Sequence, residues 1–309
     1  MNTQEKLCEL CPRRCRAARP CSLENFTGTI PGICRSPRNP VVARAALHLW
    51  EEPVISGERG SGTVFFSGCN LKCVFCQNYG ISTENAGSEI SVERLKEIYR
   101  ELISAGAHNI NLVTPAHYAD AIIESLSGEK LPVPVVWNSN GYDSVETVRR
   151  LKGKVDIFLP DMKYASNTPA ARYSSAPDYF EVASLAVKAM YEQTGPFRFG
   201  DDGMLQSGVV IRHLILPGQI ENSLKVIDFV RENFKPGEVL FSLMRQYLPC
   251  GRVSEREFPE LNRRVSDEEY KIVEDALFAS GIEDGFVQDA DSASQIYIPP
   301  FDGSGVIKT

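Results

Sequence analysis

Thr63-Val64-Phe65-Phe66-Ser67-Gly68-Cys69-Asn70-Leu71-Lys72-Cys73-Val74-Phe75-Cys76-Gln77-Asn78 runs from an apolar, β-branched and aromatic stretch straight into three cysteines. Thr63–Ser67 has the composition of a buried strand, and Gly68 breaks it. The cysteines that follow are spaced C-x3-C-x2-C, a set of soft ligands on one short loop, suited to zinc or to an iron–sulfur cluster. A closed zinc site or a fully capped cubane takes four protein ligands, and no fourth cysteine lies nearby. Three thiolates on a cubane leave one iron open, which is what catalysis needs. The spacing also puts three residues on one face of a helix, so buried free thiols are a competing reading and a three-ligand zinc site another. Gly68 and Asn70 start a core helix poorly, which favours the metal loop.

Outward from this loop, strand-like runs alternate with amphipathic helical ones. Thr63–Ser67, Asn109–Val113, Val133–Asn138, Val155–Leu159, Val209–Leu216 and Glu238–Leu243 read as strands. Val92–Ala105, Tyr118–Leu126, Val145–Leu151, Tyr179–Glu192 and Leu224–Phe234 read as helices between them, with a further one at Asp267–Ser280. Ser91 reads as a helix start and Gly106 as its stop. Such alternation predicts an α/β fold of parallel βαβ units with right-handed crossovers. About six units fit, too few for the eight of a closed barrel. Tyr297–Gly303 reads as a strand and turn over the barrel edge.

The 309 residues are 43% hydrophobic and 24% charged, which excludes a disordered chain. A net charge of −7 argues against a general nucleic-acid binder. No apolar run approaches the roughly 20 residues of a membrane span. Met1–Lys6 is polar and lacks a secretion signal's apolar stretch. The expected compartment is therefore the cytosol, where a cysteine cluster holds metal more often than it forms disulfides.

With the motif goes a resemblance. Cys69-x3-Cys73-x-Phe75-Cys76 resembles the signature of the radical S-adenosylmethionine (SAM) enzymes, aromatic residue included. The wider run 60–78 is similar to the PflX-type homologues of pyruvate formate-lyase-activating enzyme. So are Cys8-x2-Cys11-Pro12-Arg13, Glu51-Glu52-Pro53-Val54-Ile55-Ser56-Gly57, Asn111–Tyr118 and Leu159–Tyr164. The resemblance implies a partial (β/α)6 TIM-like barrel with a small Cys-rich N-terminal extension. It implies a [4Fe-4S] cluster on Cys69, Cys73 and Cys76 whose open iron takes SAM. Reductive cleavage to a 5′-deoxyadenosyl radical and hydrogen abstraction from a substrate would follow. An electron donor such as a flavodoxin or ferredoxin is the implied partner, and a glycyl radical enzyme is the candidate substrate protein. The expected divisions are 1–58, a Cys-rich metal-binding segment; 59–248, the core; and 249–309, an extension packed on the barrel.

SAM presents a carboxylate, an amine, a ribose and an adenine. Asn138 and Asn140 follow the third strand and can offer amides to the ribose or the methionine end. Asp161 and Lys163 resemble the Asp-x-Lys of the activating enzymes, which assigns Lys163 to the carboxylate. Arg212 lies in the fifth strand, where those enzymes carry a similarly placed Arg, and Phe75 is the candidate wall for the adenine. His117 is a candidate proton donor or acceptor at the reactive end. The sequence departs from the superfamily in one place: Thr114-Pro115-Ala116 stands where Gly-Gly-Glu binds the SAM amine, as in the PflX-type pattern.

Cys8, Cys11, Cys15, Cys21 and Cys34 form a second set. Cys8-x2-Cys11 is a metal-knuckle spacing, Pro12 suits the first position of a helix that would carry Cys15, and Cys34 can close a four-ligand site. Cys21 is then a spare. Zinc and a second iron–sulfur cluster both remain open. Cys250 stands alone, and a buried thiol is its default reading. Arg13, Arg14, Arg16 and Arg19 motivate an alternative in which the same chemistry acts on RNA or a peptide. A non-catalytic zinc or iron–sulfur module is the third reading.

Overall fold

A computed structural model describes residues 7–289, 292–294 and 297–308, so the polar Met1–Lys6 stretch lies outside the described residues. The strands are β1 (Val41–His48), β2 (Ser61–Phe66), β3 (Ser88–Glu89), β4 (Ile110–Val113), β5 (Val135–Ser139), β6 (Ile157–Pro160), β7 (Arg198–Phe199), β8 (Leu205–Leu214), β9 (Leu240–Met244) and β10 (Gly285–Val287). The helices are α1 (Pro53–Ser56), α2 (Tyr79–Ser82), α3 (Val92–Ser104), α4 (Ala119–Ser125), α5 (Val145–Arg150), α6 (Asn167–Ser174), α7 (Tyr179–Thr194), α8 (Ile220–Asn233) and α9 (Asp267–Ala279).

One sheet carries them in the order β10-β9-β8-β6-β5-β4-β2-β1-β3, with β7 on β8. From β2 to β10 neighbours pair in parallel; β1 pairs antiparallel with β2, and β3 with β1. The path is open between β3 and β10. Six βα units therefore make a partial barrel, an α/β fold with the expected repeat. Every residue of β2, β4, β5, β6 and β9 is buried, as expected of parallel strands covered on both faces. All six expected strands and all six expected helices are present, with ends shifted by a few residues.

The helices begin where side chains satisfy backbone donors. Ser91 accepts from Arg94 N at the start of α3, and Leu95, Ile98, Tyr99 and Leu102 then face the core at helical spacing. Ser266 and Glu269 close a capping box on α9.

Several features depart from expectation. β1 reads in sequence as part of the Cys-rich segment, yet it forms a ladder with β2 from Val42↔Phe66 to His48↔Ser61. The division at residue 58 thus falls inside the sheet. Tyr297–Gly303 packs over the barrel edge but holds no strand among its described residues. Instead Gly303 N donates to Ala43 O, Ala45 N donates to Ser304 O, and the Phe301 ring meets Phe65 edge-on. α1, α2, α6, β3, β7 and β10 lie outside the expected elements, and β10 brings the 249–309 stretch into the sheet beside β9.

Candidate functional site

The C-terminal ends of the parallel strands share one edge, and a cavity of about 240 Å³ opens there. Its lining includes Cys69, Cys73, Cys76, Phe75, Asn138, Asn140, Asp161, Lys163 and Arg212. The sequence names these residues from four separate stretches, and the fold brings all of them to one cavity.

The cysteine loop is shaped by contacts on every side. Gly68 turns the chain out of β2 at φ +84°, where a Cβ would fall against Ser36 Oγ and 2.9 Å from Cys34 O. Asn70 Nδ2 donates to Tyr142 O at 2.7 Å, and Val74 N donates to Tyr173 O at 2.8 Å. On the far side Gly251, at φ +63°, lies so close that a Cβ would sit 2.6 Å from Val74 O. Each thiol has a donor other than a ligand. Leu71 N and Asn140 Nδ2 each reach Cys69 Sγ at 3.3 Å, Ser174 Oγ reaches Cys73 Sγ at 2.9 Å, and Ser82 Oγ lies 3.2 Å from Cys76 Sγ. Burial and the neighbouring thiols push Cys69 up to about 12, and burial raises Cys73. Buried thiolates there require a cationic group to hold them ionised.

The donor set fits an iron–sulfur cluster. Thiolates on one zinc lie within about 4 Å of each other, given Zn–S bonds of about 2.3 Å. Among the described residues no three His, Cys, Asp or Glu side chains converge closely enough to hold a single ion. A cubane asks for something wider, since each thiolate takes its own iron. A buried ammonium at Lys72, inside the same loop, also has no hydrogen-bond partner.

Below the thiols runs a chain of charges. Lys163 Nζ donates to Asp161 Oδ2 at 2.6 Å, and Arg212 Nε donates to Asp161 Oδ1 at 3.0 Å. Arg212 also donates to Glu51 Oε2 at 3.1 Å and Asn138 Oδ1 at 2.7 Å. Asn138 Nδ2 in turn donates to Glu51 Oε1 at 3.0 Å. Burial works against the Asp161 carboxylate, but Arg212 and Lys163 outweigh it and hold the group below its usual range. Burial wins at Glu51 and Glu52, which are raised despite Arg212. Glu52 Oε2 is buried without a partner.

The network engages several of the expected residues within the protein. Both polar ends of Asn138, and all three guanidinium nitrogens of Arg212, are engaged within the protein. Asn140 braces the cysteine loop, donating to Cys69 and to Asn70 Oδ1 and accepting from Tyr142 N. Phe75 is buried, lines the cavity and meets the Tyr247 ring at 6.0 Å. His117 is not among the cavity-lining residues. Its Nε2 lies 2.8 Å from Ser67 O, and burial pushes it down to about 3, so it is a neutral brace. Thr114 does line the cavity, at φ +59°, a strained conformation for a β-branched residue.

Glu51 was missed as a site residue. Its signal was the adjacent acid pair Glu51-Glu52 before Pro53, which reads equally well as an ordinary acidic helix start. Ser174 and Ser82 gave no signal at all. Trp50 and Tyr297 meet edge-on at 4.8 Å on the cavity's outer wall.

The second cysteine set is partly gathered. Cys8 N donates to Ala17 O and Arg16 N to Cys8 O, which folds 8–17 back on itself, and Gly32 lies against Cys15 Sγ. Burial and the charges of Cys34, Cys8 and Cys15 push Cys11 up to about 12. Cys21 is exposed. Cys250 Sγ donates to Phe75 O at 3.1 Å behind the cysteine loop. The arginine stripe is largely spent on the fold. Arg13 donates to the carbonyls of Asn70, Ser174 and Ser175, and Arg19 is buried on those of Ser36, Pro37 and His117. Arg14 and Arg16 pair with Glu146 and Glu9.

An open parallel α/β barrel with three thiols on the loop after its first parallel strand defines a class of iron–sulfur protein. The chain belongs to the Radical SAM superfamily, whose profile matches residues 63–230. Membership implies a [4Fe-4S] cluster and SAM. An uncharacterized protein of Methanocaldococcus jannaschii is 32% identical over 273 residues, covering 85% of this chain and 72% of that protein. Spore photoproduct lyase is similar in fold, with a TM-score of 0.51 at 13% identity over 87% of this chain and 88% of that one. Streptococcus suis SuiB bound to S-adenosylmethionine gives 0.47 at 14% identity over 74% of this chain. The chain spans about half of SuiB's length, 50%.

Proposed function

We propose that Cys69, Cys73 and Cys76 hold the [4Fe-4S] cluster and that the adjoining cavity holds SAM. The observation that carries this is the meeting of three hydrogen-bonded thiols with the Asp161–Lys163 pair in one cavity at the C-terminal mouth of the barrel. When bound, the two groups supply one-electron reductive cleavage of SAM, ending in removal of a hydrogen from the substrate. The chain's own part is to hold and to exclude. Leu71 N, Asn140, Ser174 and Ser82 fix the thiolates. Asp161 keeps Lys163 charged and aimed beside Cys73, ready for a carboxylate. Arg212 fixes Asp161 and Asn138 from below, and Trp50 with Tyr297 shields the outer wall from water.

The hydrogen donor in this reading is a glycine of a partner enzyme that works through a glycyl radical, with a cytosolic flavodoxin or ferredoxin as electron source. The Cys8, Cys11, Cys15 and Cys34 set is, in the same reading, a second metal site, for zinc or an iron–sulfur cluster. Its thiols neighbour one another, Cys34, Cys8 and Cys15 each acting on Cys11.

The test is anaerobic reconstitution with iron and sulfide, then mass spectrometry with SAM and dithionite. Methionine and 5′-deoxyadenosine are expected from the native chain and from none of the Cys73→Ala protein. A native chain that holds its cluster yet leaves SAM intact overturns the reading.

A further inference from the structure

Lys72 occupies the gap between Cys69 and Cys73, and its ammonium is shut off from solvent with no hydrogen-bond partner among the described residues. A buried cation without a counter-charge is among the costlier arrangements a fold can hold. Burial works against its charge, the Arg35 guanidinium does the same, and the thiols of Cys69, Cys34 and Cys76 favour it. Arg35 is itself engaged, donating to Thr83 O. The groups able to answer the charge are thus the thiols, and as cluster ligands they are thiolates.

We infer that Lys72 is the counter-ion of the iron–sulfur cluster on Cys69, Cys73 and Cys76, and sets its reduction potential. The inference rests on the cluster assignment above. A [4Fe-4S] unit on three thiolates carries a single negative charge when oxidised and a double one when reduced. A fixed cation in a dry setting therefore favours the reduced form and raises the potential. Lys163 approaches the same loop beside Cys73 but is neutralised by Asp161 at 2.6 Å. Lys72 has no such partner among the described residues, so no ion pair offsets its charge.

The experiment is an EPR-monitored redox titration, with dithionite as reductant, of the full reconstituted chain and of Lys72→Met, Lys72→Gln and Lys72→Arg. Both neutral variants should show at least a tenfold fall in the equilibrium constant for reduction, about 59 mV for one electron. Lys72→Arg should stay near the native value. Neutral variants with an unchanged midpoint overturn the inference and leave the cluster assignment standing. A native chain that takes up no cluster fails the assignment instead. Should the neutral variants fold, by circular dichroism, yet hold no cluster, Lys72→Arg decides: recovery upholds the counter-ion, and no recovery overturns it.

Discussion

At the scale of the residue, the site depends on a few positions that admit one side chain. Gly68 is the sharpest case. Its left-handed φ and the contacts facing its absent Cβ both exclude substitution. Gly68→Ala should cost about 2–4 kcal/mol, the sum of backbone strain and a clash in packed surroundings. Urea denaturation reads the loss. Ser36→Ala/Gly68→Ala should recover part of it, because one of the two blocking atoms is a removable hydroxyl, whereas Cys34 O is not. A Gly68→Ala protein as stable as the native chain would mean that the loop turns by another route. This requirement was legible in sequence only as a break after a strand. The cysteines beside it were fully legible, because three ligands on one loop carry their chemistry in their spacing. The hydroxyls of Ser174 and Ser82 carry no such signature. Ser174 reaches Cys73 from 101 residues away, at the end of a helix the sequence did not announce.

At the scale of the element, strands deliver charges to one another. Arg212 in β8 joins Glu51 from the segment before α1, Asn138 from β5 and Asp161 after β6. The pairing of Arg212 with Glu51 spans 161 residues, so no local pattern could disclose it. Asp161 and Asn138 were legible as polar residues at strand ends, and Arg212 as one inside a strand. Their use of one another was not, because sequence shows a side chain's type and not where its hydrogen bonds go. Replacing Arg212 by Met leaves buried carboxylates unpaired, a loss of about 3–5 kcal/mol in other buried pairs. The lower end, about 3 kcal/mol, is expected here, because Glu51 is already raised and can take up a proton. Chemical denaturation should show that drop, and Glu51→Gln/Arg212→Met should recover a portion of it. Equal stability of the single variant and the native chain would show that the ladder adds nothing to the fold.

At the scale of the whole molecule, the repeat of strand and helix was legible because burial on both faces leaves long apolar runs. β1 was not, since Val-Val-Ala-Arg-Ala-Ala-Leu-His is short of aromatic and β-branched residues and its ladder forms against a later strand. The same burial that made the repeat readable also makes the molecule sensitive to acid. His213 is enclosed, with Nδ1 2.7 Å from Met162 O and Nε2 2.8 Å from Ser223 Oγ, and burial pushes it down to about 4 from 6.5. His117 moves the same way. A histidine held neutral in the fold but free to charge when unfolded favours unfolding as pH falls below 6.5, and the loss levels off once the folded group titrates near 4. Each such histidine is worth about 2 kcal/mol between about pH 7 and pH 5, at 1.36 kcal/mol per unit. Glu51 and Glu52 act in the opposite sense, because their raised values make the fold bind protons first. The difference between proteins therefore isolates the histidine better than either curve alone. His213→Gln keeps an amide able to donate to Met162 O and cannot titrate, so its urea midpoint should fall less than the native midpoint over that interval. Parallel curves for the two proteins would show that His213 is not held neutral by its burial.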